Sequence, residues 1–161
     1  MNRVVNGLVV ILLSGCSMPS PPEIKPILLS DIKAQTFTYS ELKGQQGVLW
    51  EKARHHIVAT YGKSQPVLRV ENELNGTLLG KGVIRWKLQE GASSIYCYSD
   101  YDIRFMARDN KARFQLKLLA GIPEISECSD WELPSKYGYE QILHEFKEMS
   151  DRLELSFKVG I

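Results

Sequence analysis

Three cysteines are the residues of this sequence best placed to do chemistry, and they occupy different settings. Cys16 ends an apolar run that begins at Val4, behind a single basic residue, Arg3. Cys97 and Cys128 lie far downstream, and neither has a partner at the C-x-x-C spacing of zinc and redox motifs. We therefore expect acylation at the first cysteine and no metal site, and the other two are a candidate disulfide pair.

The segment Leu13-Ser14-Gly15-Cys16 looks like a bacterial lipobox. A basic start, a short apolar stretch and small residues before a cut are typical of a secretory signal peptide. The apolar run is about half of the roughly 20 residues that a membrane-spanning helix needs. A buried N-terminal strand or helix is the alternative, but the proline-rich segment that follows disfavours both. We predict a signal peptide over residues 1–15, cleavage after Gly15 and acyl chains such as palmitate on Cys16.

The next segment predicts how the anchor joins the protein. Residues 16–30 contain four prolines and no sustained apolar period, which is typical of an extended tether. A single domain is predicted over residues 31–161. The residue after the cysteine is Ser17 rather than aspartate, which favours the outer membrane by resemblance to the sorting rule of enteric bacteria. We expect a lipoprotein of the cell envelope, held at the outer membrane and facing the periplasm.

The near-neutral net charge of the sequence argues against partners that require a strongly basic protein. One of the 20 Lys and Arg residues is Arg3, so the sequence after Gly15 has 19 basic residues against 19 acidic ones. Nucleic-acid binding leaves a strongly basic footprint, so we expect no nucleic-acid partner. No polybasic cluster indicates recognition of anionic lipid either. No motif indicates a cofactor.

Cys97 and Cys128 form an even pair in a compartment that permits disulfides. A bridge between them would close a loop of about 30 residues and stabilise the fold by a few kcal/mol. The alternative is two free thiols, with Cys97 buried in a strand. The sequence leaves both open.

Hydrophobic periodicity predicts an α+β domain. A first short strand falls within residues 31–39, and a helix runs from near Gln46 to Tyr61, with Ser40 a candidate cap and Gly62 at its C-terminus. Turn signals at Asn75-Gly76 and at residues 108–111 separate strands, and Gly80 and Gly82 predict a bulge or bend. The remaining elements are strands at 67–71, 78–88, 94–107 and 112–119, and a helix at 137–155.

These elements predict one architecture. Four strands joined by short turns indicate an antiparallel meander with one wet face, and the first strand allows a fifth. Both helices are expected to cover the other face of this four- to five-stranded sheet. The stripe on the second helix consists of Ile142, Phe146, Met149 and Leu153.

The stretch from Phe37 to about Leu119 resembles a bacterial family of unknown function with a TATA-binding-protein-like (TBP-like) fold. The resemblance is carried by Tyr39-Ser40-Glu41-Leu42, Trp50, the turn from Glu71 to Gly82, Tyr101-Asp102-Ile103 and Lys111-Ala112-Arg113-Phe114. The sequence departs from the family pattern at two turns, where Asn75-Gly76 and Asp109-Asn110 replace Asp-Gly, with the same turn chemistry. The resemblance implies an antiparallel sheet backed by helices and implies no known activity.

Other motifs give weak signals, and we identify no catalytic residue from them. Gly80-Lys81-Gly82 lacks the spacing of a phosphate-binding loop. His55 and His56 are adjacent on a helix and therefore point about 100° apart, which does not suit one metal ion. His144 lies one residue from the apolar stripe and is expected to be solvated or at a boundary. Trp131 is expected to dock on the core edge.

Two constellations on the sheet leave alternatives open. Asp100 and Asp102 share one face of a strand, either as a carboxylate pair or as solvent-facing residues. Four aromatic residues either form a platform for a sugar or peptide or pack across strands: Trp86, Tyr96, Tyr98 and Tyr101.

Three hypotheses for function follow. The first is a non-catalytic binding or assembly module, with an envelope protein as a candidate partner. The alternative is a periplasmic hydrolase of cell-wall material that uses Asp100, Asp102 or His144. The third is self-association through a free sheet edge. The sequence favours the first because it contains a lipobox and a tether but no catalytic set.

Overall fold

The computed structural model describes residues 16–20, 22–62 and 67–159. The predicted signal peptide, with Leu13, Ser14 and Gly15, lies outside these residues. A short 3-10 helix, Leu29–Asp31, precedes the main elements. These are β1 (Gln35–Tyr39), α1 (Gln46–Tyr61), β2 (Leu68–Asn72), β3 (Thr77–Lys87), β4 (Tyr96–Arg108), β5 (Lys111–Leu118) and α2 (Lys136–Lys158).

The five strands form one antiparallel sheet in the order β1-β5-β4-β3-β2. Strands β2 to β5 meander, and β1 adds to the free side of β5, with Phe37 opposite Phe114. This confirms the predicted α+β architecture with an antiparallel meander. Both edge strands have only five residues, and the register of β2 shifts between Leu68 and Val70. Short and irregular edges disfavour edge-to-edge pairing.

The core lies between the sheet and the two helices. Alternate residues of the strands are buried, as in the run from Cys97 to Ala107 of β4, because successive side chains point to opposite faces. The predicted stripe of α2 is buried against this face and is extended by Phe157. From α1, Leu49, Ala53 and Ile57 are fully buried in the same cluster. Both helices therefore cover one face, and the other face of the sheet is open.

The predicted start of α1 near Gln46 is confirmed, but Ser40 does not cap the helix. The helix begins at Gln46, since Glu41 and Gly44 have positive φ values of 59° and 153° and turn the chain away from a helical path. The backbone N–H of Gln46 donates to Asp109 Oδ1 at 2.8 Å. Ser40 as the cap is therefore wrong, because the capping carboxylate comes from the β4–β5 turn.

The turns and the helix end fall where the sequence predicts them. Gly76 closes the β2–β3 turn with φ 63°, and Asn110 occupies the β4–β5 turn with φ 60°. Gly62 follows the last residue of α1, and its N–H donates to Val58 O at 3.0 Å.

The irregularity predicted at the two strand glycines lies on the neighbouring strand. The bulge falls in β2, opposite Gly80. A Cβ on Gly80 would lie 2.3 Å from the carbonyl oxygen of Val67, and one on Gly82 would lie 2.3 Å from Cζ of Tyr101. The lack of a side chain therefore lets the backbone of Val67 approach Gly80 closely and lets the ring of Tyr101 approach Gly82 closely.

Candidate functional site

The candidate anchor, Cys16, is exposed and forms no disulfide. The described residues from 16 to 25 have no helix or strand. The chain joins the domain at Pro26, which pairs with Ser135, and at Ile27, whose N–H donates to Pro134 O at 2.8 Å. The free part of the predicted tether is therefore about ten residues, or roughly 30 Å when extended. Among the described residues, no helix is both long and apolar enough to cross a bilayer.

The two remaining cysteines are bonded to each other. Cys97 of β4 and Cys128 of the loop before α2 have their sulfur atoms 2.07 Å apart and their Cα atoms 5.5 Å apart. Nearby, the N–H of Tyr98 donates to Ser126 Oγ at 3.2 Å. These bonds fasten the loop to the end of the sheet.

The same loop carries Trp131, which packs edge to face on Trp86 with 6.2 Å between ring centroids. It is partly buried against the core. This confirms that Trp131 docks on the core edge rather than standing free on the surface.

The histidine named for a hydrolase is not brought to the two carboxylates. Asp100 and Asp102 share the open face of β4, and Asp102 has Lys81 and Lys117 as its cross-strand neighbours. His144 is exposed on α2, in the other layer. The sheet and its core separate the histidine from the carboxylates, so His144 forms no acid–base pair with either aspartate.

His55 and His56 also diverge. His55 is exposed, whereas His56 is half-buried and packs edge to face on Tyr61 at 6.3 Å. Burial lowers the pKa of His56, and the positive charge of Arg152 and of His55 lowers it further. Burial also raises the pKa of Tyr61, against the nearby charge of Arg152. Within the described residues, no group of three or more His, Cys, Asp and Glu side chains is placed to hold a metal ion.

The aromatic residues do not form one platform. Tyr101 and Trp86 lie on the covered face and are fully buried, whereas Tyr96 and Tyr98 lie on the open face. Burial raises the pKa of Tyr101 above its usual range. Cross-strand and core packing account for the buried pair, and only Tyr96 is well exposed.

The main feature that sequence reasoning missed is the charge of the open face. Every second residue of β3, β4 and β5 points to this face, and eight of these residues are basic while two, Asp100 and Asp102, are acidic. The near-neutral total hides the asymmetry, so the absence of a polybasic cluster holds for the linear sequence and not for the folded sheet. Strand alternation was the signal that would have found it. The basic residues are Lys81, Arg85, Lys87, Arg104, Arg108, Lys111, Arg113 and Lys117.

We compared the sequence and the structure with those of known proteins. No family model matches the sequence, and no curated protein matches it. Two solved structures superpose on the fold of this chain. The crystal structure of a DUF4468 family protein from Bacteroides ovatus superposes with a TM-score of 0.58 at 11% identity, covering 84% of this chain and 91% of that one.

A TBP-like protein from Parabacteroides distasonis superposes with a TM-score of 0.54 at 9% identity, covering 80% of this chain and 97% of that one. The fold is TBP-like. This confirms the architecture that the resemblance implied and the similarity to proteins of unknown function with that fold. At such identities the likeness concerns the fold alone. Within the TBP-like fold of this chain, the covered face holds the core and the open face holds the unassigned basic surface.

Proposed function

We propose that this chain is a bacterial envelope lipoprotein whose TBP-like domain is a non-catalytic binding or assembly module. The observation that carries the proposal is the Leu13-Ser14-Gly15-Cys16 segment. An apolar run followed by small residues and a cysteine is the substrate pattern of lipoprotein processing. The acyl chains on Cys16 hold the domain at the membrane, since two or more chains give stable anchoring.

The placement of Cys16 supports the same proposal. The thiol is exposed, and about ten residues separate it from the docking point at Pro26. A modifying enzyme and a membrane therefore both reach Cys16 without disturbing the core. The other two cysteines are bonded to each other and do not compete for acylation.

The non-catalytic part of the proposal rests on the separation of the titratable groups. Asp102 lies among basic residues on the open face, while His144 lies on the helical layer. Chemistry by general acid and base requires such groups within hydrogen-bond reach of one substrate. No specific observation favours the hydrolase.

Metabolic labelling with radioactive palmitate tests the anchor. We expect label in the wild-type protein and in Cys97→Ser/Cys128→Ser, and none in Cys16→Ala. Equal labelling of Cys16→Ala would remove the proposal. Membrane fractionation of Ser17→Asp against Ser17→Ala then tests the outer-membrane assignment: we expect only the aspartate variant to move to the inner membrane.

A further inference from the structure

The open face of the sheet carries charge that the protein does not neutralise. None of its eight basic residues forms an ion pair with a described acidic side chain. The helical layer behaves differently, since four of its six basic residues, Arg54, Lys147, Arg152 and Lys158, pair with acidic residues. Most of the described basic residues without an ion pair therefore lie on the open face.

The acidic residues of the open face do not cancel this charge. Asp102 stands between Lys81 and Lys117, one cation on each neighbouring strand. Asp100 lies opposite Val83. The three strands give this face eight basic and two acidic side chains, so its net charge is positive although the chain as a whole is near neutral.

Apolar and aromatic groups lie among the cations. Arg85 sits over the ring of Tyr96 at 4.3 Å from its centroid, and Lys87 lies 5.3 Å from it. The exposed fractions of Tyr96, Val83 and Met106 are 45%, 51% and 39%. Long cationic side chains mixed with tyrosine and aliphatic groups suit the interface between charged headgroups and hydrocarbon.

The tether leaves the domain next to the C-terminal end of β3, where α2 begins. Pro26 pairs with Ser135, and the hydroxyl of Ser135 donates to Leu88 O at 2.6 Å, one residue beyond Lys87. The tether from Cys16 to this point spans roughly 30 Å when extended. An anchor in the membrane therefore holds the Arg85–Lys87 end of the open face within tether length of the headgroups.

We propose that the open face of the sheet binds the anionic phospholipid headgroups of the membrane in which Cys16 is anchored. The membrane location of the domain rests on the proposed function, but the binding of headgroups is a property of the domain itself. The basic residues extend over three strands and both ends of the sheet. This two-dimensional spread fits a planar array of headgroups better than a linear polyanion. Tethering raises the effective concentration of headgroups, so weak intrinsic binding suffices.

Binding of the unacylated chain to vesicles tests the proposal separately from the anchor. The chain from residue 16 with Cys16→Ser contains the whole described core, Ile32 to Phe157. We expect it to sediment with vesicles of phosphatidylcholine and phosphatidylglycerol at low salt, to be released as salt is added, and not to bind phosphatidylcholine alone. Absence of binding, or equal binding to both vesicles, would overturn the headgroup proposal and leave the palmitate result intact.

Matched triple variants locate the surface. On the open face, Lys81→Gln/Lys111→Gln/Lys117→Gln should lower the partition coefficient at least about tenfold, because each basic residue near an anionic surface adds to binding. On α2, Lys136→Gln/Lys147→Gln/Lys158→Gln removes the same charge and should change binding less than about twofold. If both variants keep native circular dichroism and lose vesicle binding equally, binding depends on the net charge of the chain and not on the open face.

Two further measurements complete the test. Asp102→Asn removes a negative charge without a cavity and should raise vesicle binding. A duplex oligonucleotide and an acidic polypeptide serve as competing probes. Tighter binding of either probe than of anionic vesicles would overturn the proposal that the face is built for a membrane.

Discussion

Gly138 of α2 lies directly on the indole ring of Trp86 in β3. A Cβ on Gly138 would be 2.4 Å from Cε3 of the ring. The contact falls at the first turn of α2, where Ser135 caps the helix by accepting from the N–H of Gly138 at 3.0 Å. The absence of a side chain at this position therefore sets how closely α2 approaches the sheet.

Substitution of this glycine should loosen the contact between helix and sheet. Gly138→Ala is expected to lower the free energy of unfolding by about 1–3 kcal/mol, because a Cβ overpacks the fully buried Trp86. Urea unfolding followed by tryptophan fluorescence measures it. Gly47→Ala is the control, since its Cβ would meet only a flexible Glu73 oxygen at 3.5 Å. An equal loss in both variants would contradict the argument.

The indole N–H of Trp86 donates to Ser99 Oγ at 2.9 Å within the core. Ser99→Ala should cost about 1–3 kcal/mol, because it leaves a buried donor without a partner. In a Trp86→Phe background the same substitution should cost clearly less, since the donor is already gone. A double-mutant cycle by urea unfolding measures the coupling. Additive costs would show that the hydrogen bond contributes nothing.

The bond between Cys97 and Cys128 closes a loop across 31 residues of sequence. Reduction should lower the free energy of unfolding by about 3–4 kcal/mol, chiefly through the larger conformational freedom of the unfolded chain. Unfolding with and without dithiothreitol measures the loss. Cys97→Ser/Cys128→Ser should be destabilised to a similar extent and should not respond to the reductant. If dithiothreitol leaves the unfolding free energy of the wild type unchanged, the prediction is wrong.

Acidification should lower the free energy of unfolding through His56. Burial and the charge of Arg152 lower the pKa of His56, so the unfolded chain, with a histidine pKa of about 6.5, takes up the proton first as pH falls. The contribution of neutral His56 is complete above about pH 6.5 and decreases as pH falls toward the folded-state pKa.

Unfolding free energies between about pH 7.5 and 5.5 check this sign. His56→Gln should show a flatter dependence than the wild type. His144→Gln removes an exposed histidine and should keep the wild-type dependence. If His144→Gln flattens the profile and His56→Gln does not, the assignment to His56 is wrong.

Local patterns determined much of the fold. Alternation in β4 and the stripe of Ile142, Phe146 and Met149 on α2 predict the elements because burial repeats every second residue in a strand and every three or four in a helix. The Gly76 and Asn110 turns follow from residues that tolerate positive φ. These signals lie within a few residues of the feature that they specify.

Other features depend on residues distant in sequence. The capping of Gln46 by Asp109 joins positions 63 residues apart. Similarly, the sequence left the pairing of Cys97 and Cys128 open, since it does not state which loop returns to which strand. The separation of His144 from Asp102 follows only once the helices are known to cover the opposite face.

The sequence by itself determined the lipobox pattern ending at Cys16, the helices and strands, and the TBP-like resemblance, because each is encoded in short runs. The tertiary structure decided which strands are neighbours, and with that the surface. It brought Lys81 and Lys117 to either side of Asp102 and gathered the basic residues of three strands on one face. Charge summed along a chain says nothing of this arrangement, since pairing and alternation, not total charge, determine which side chains share a face.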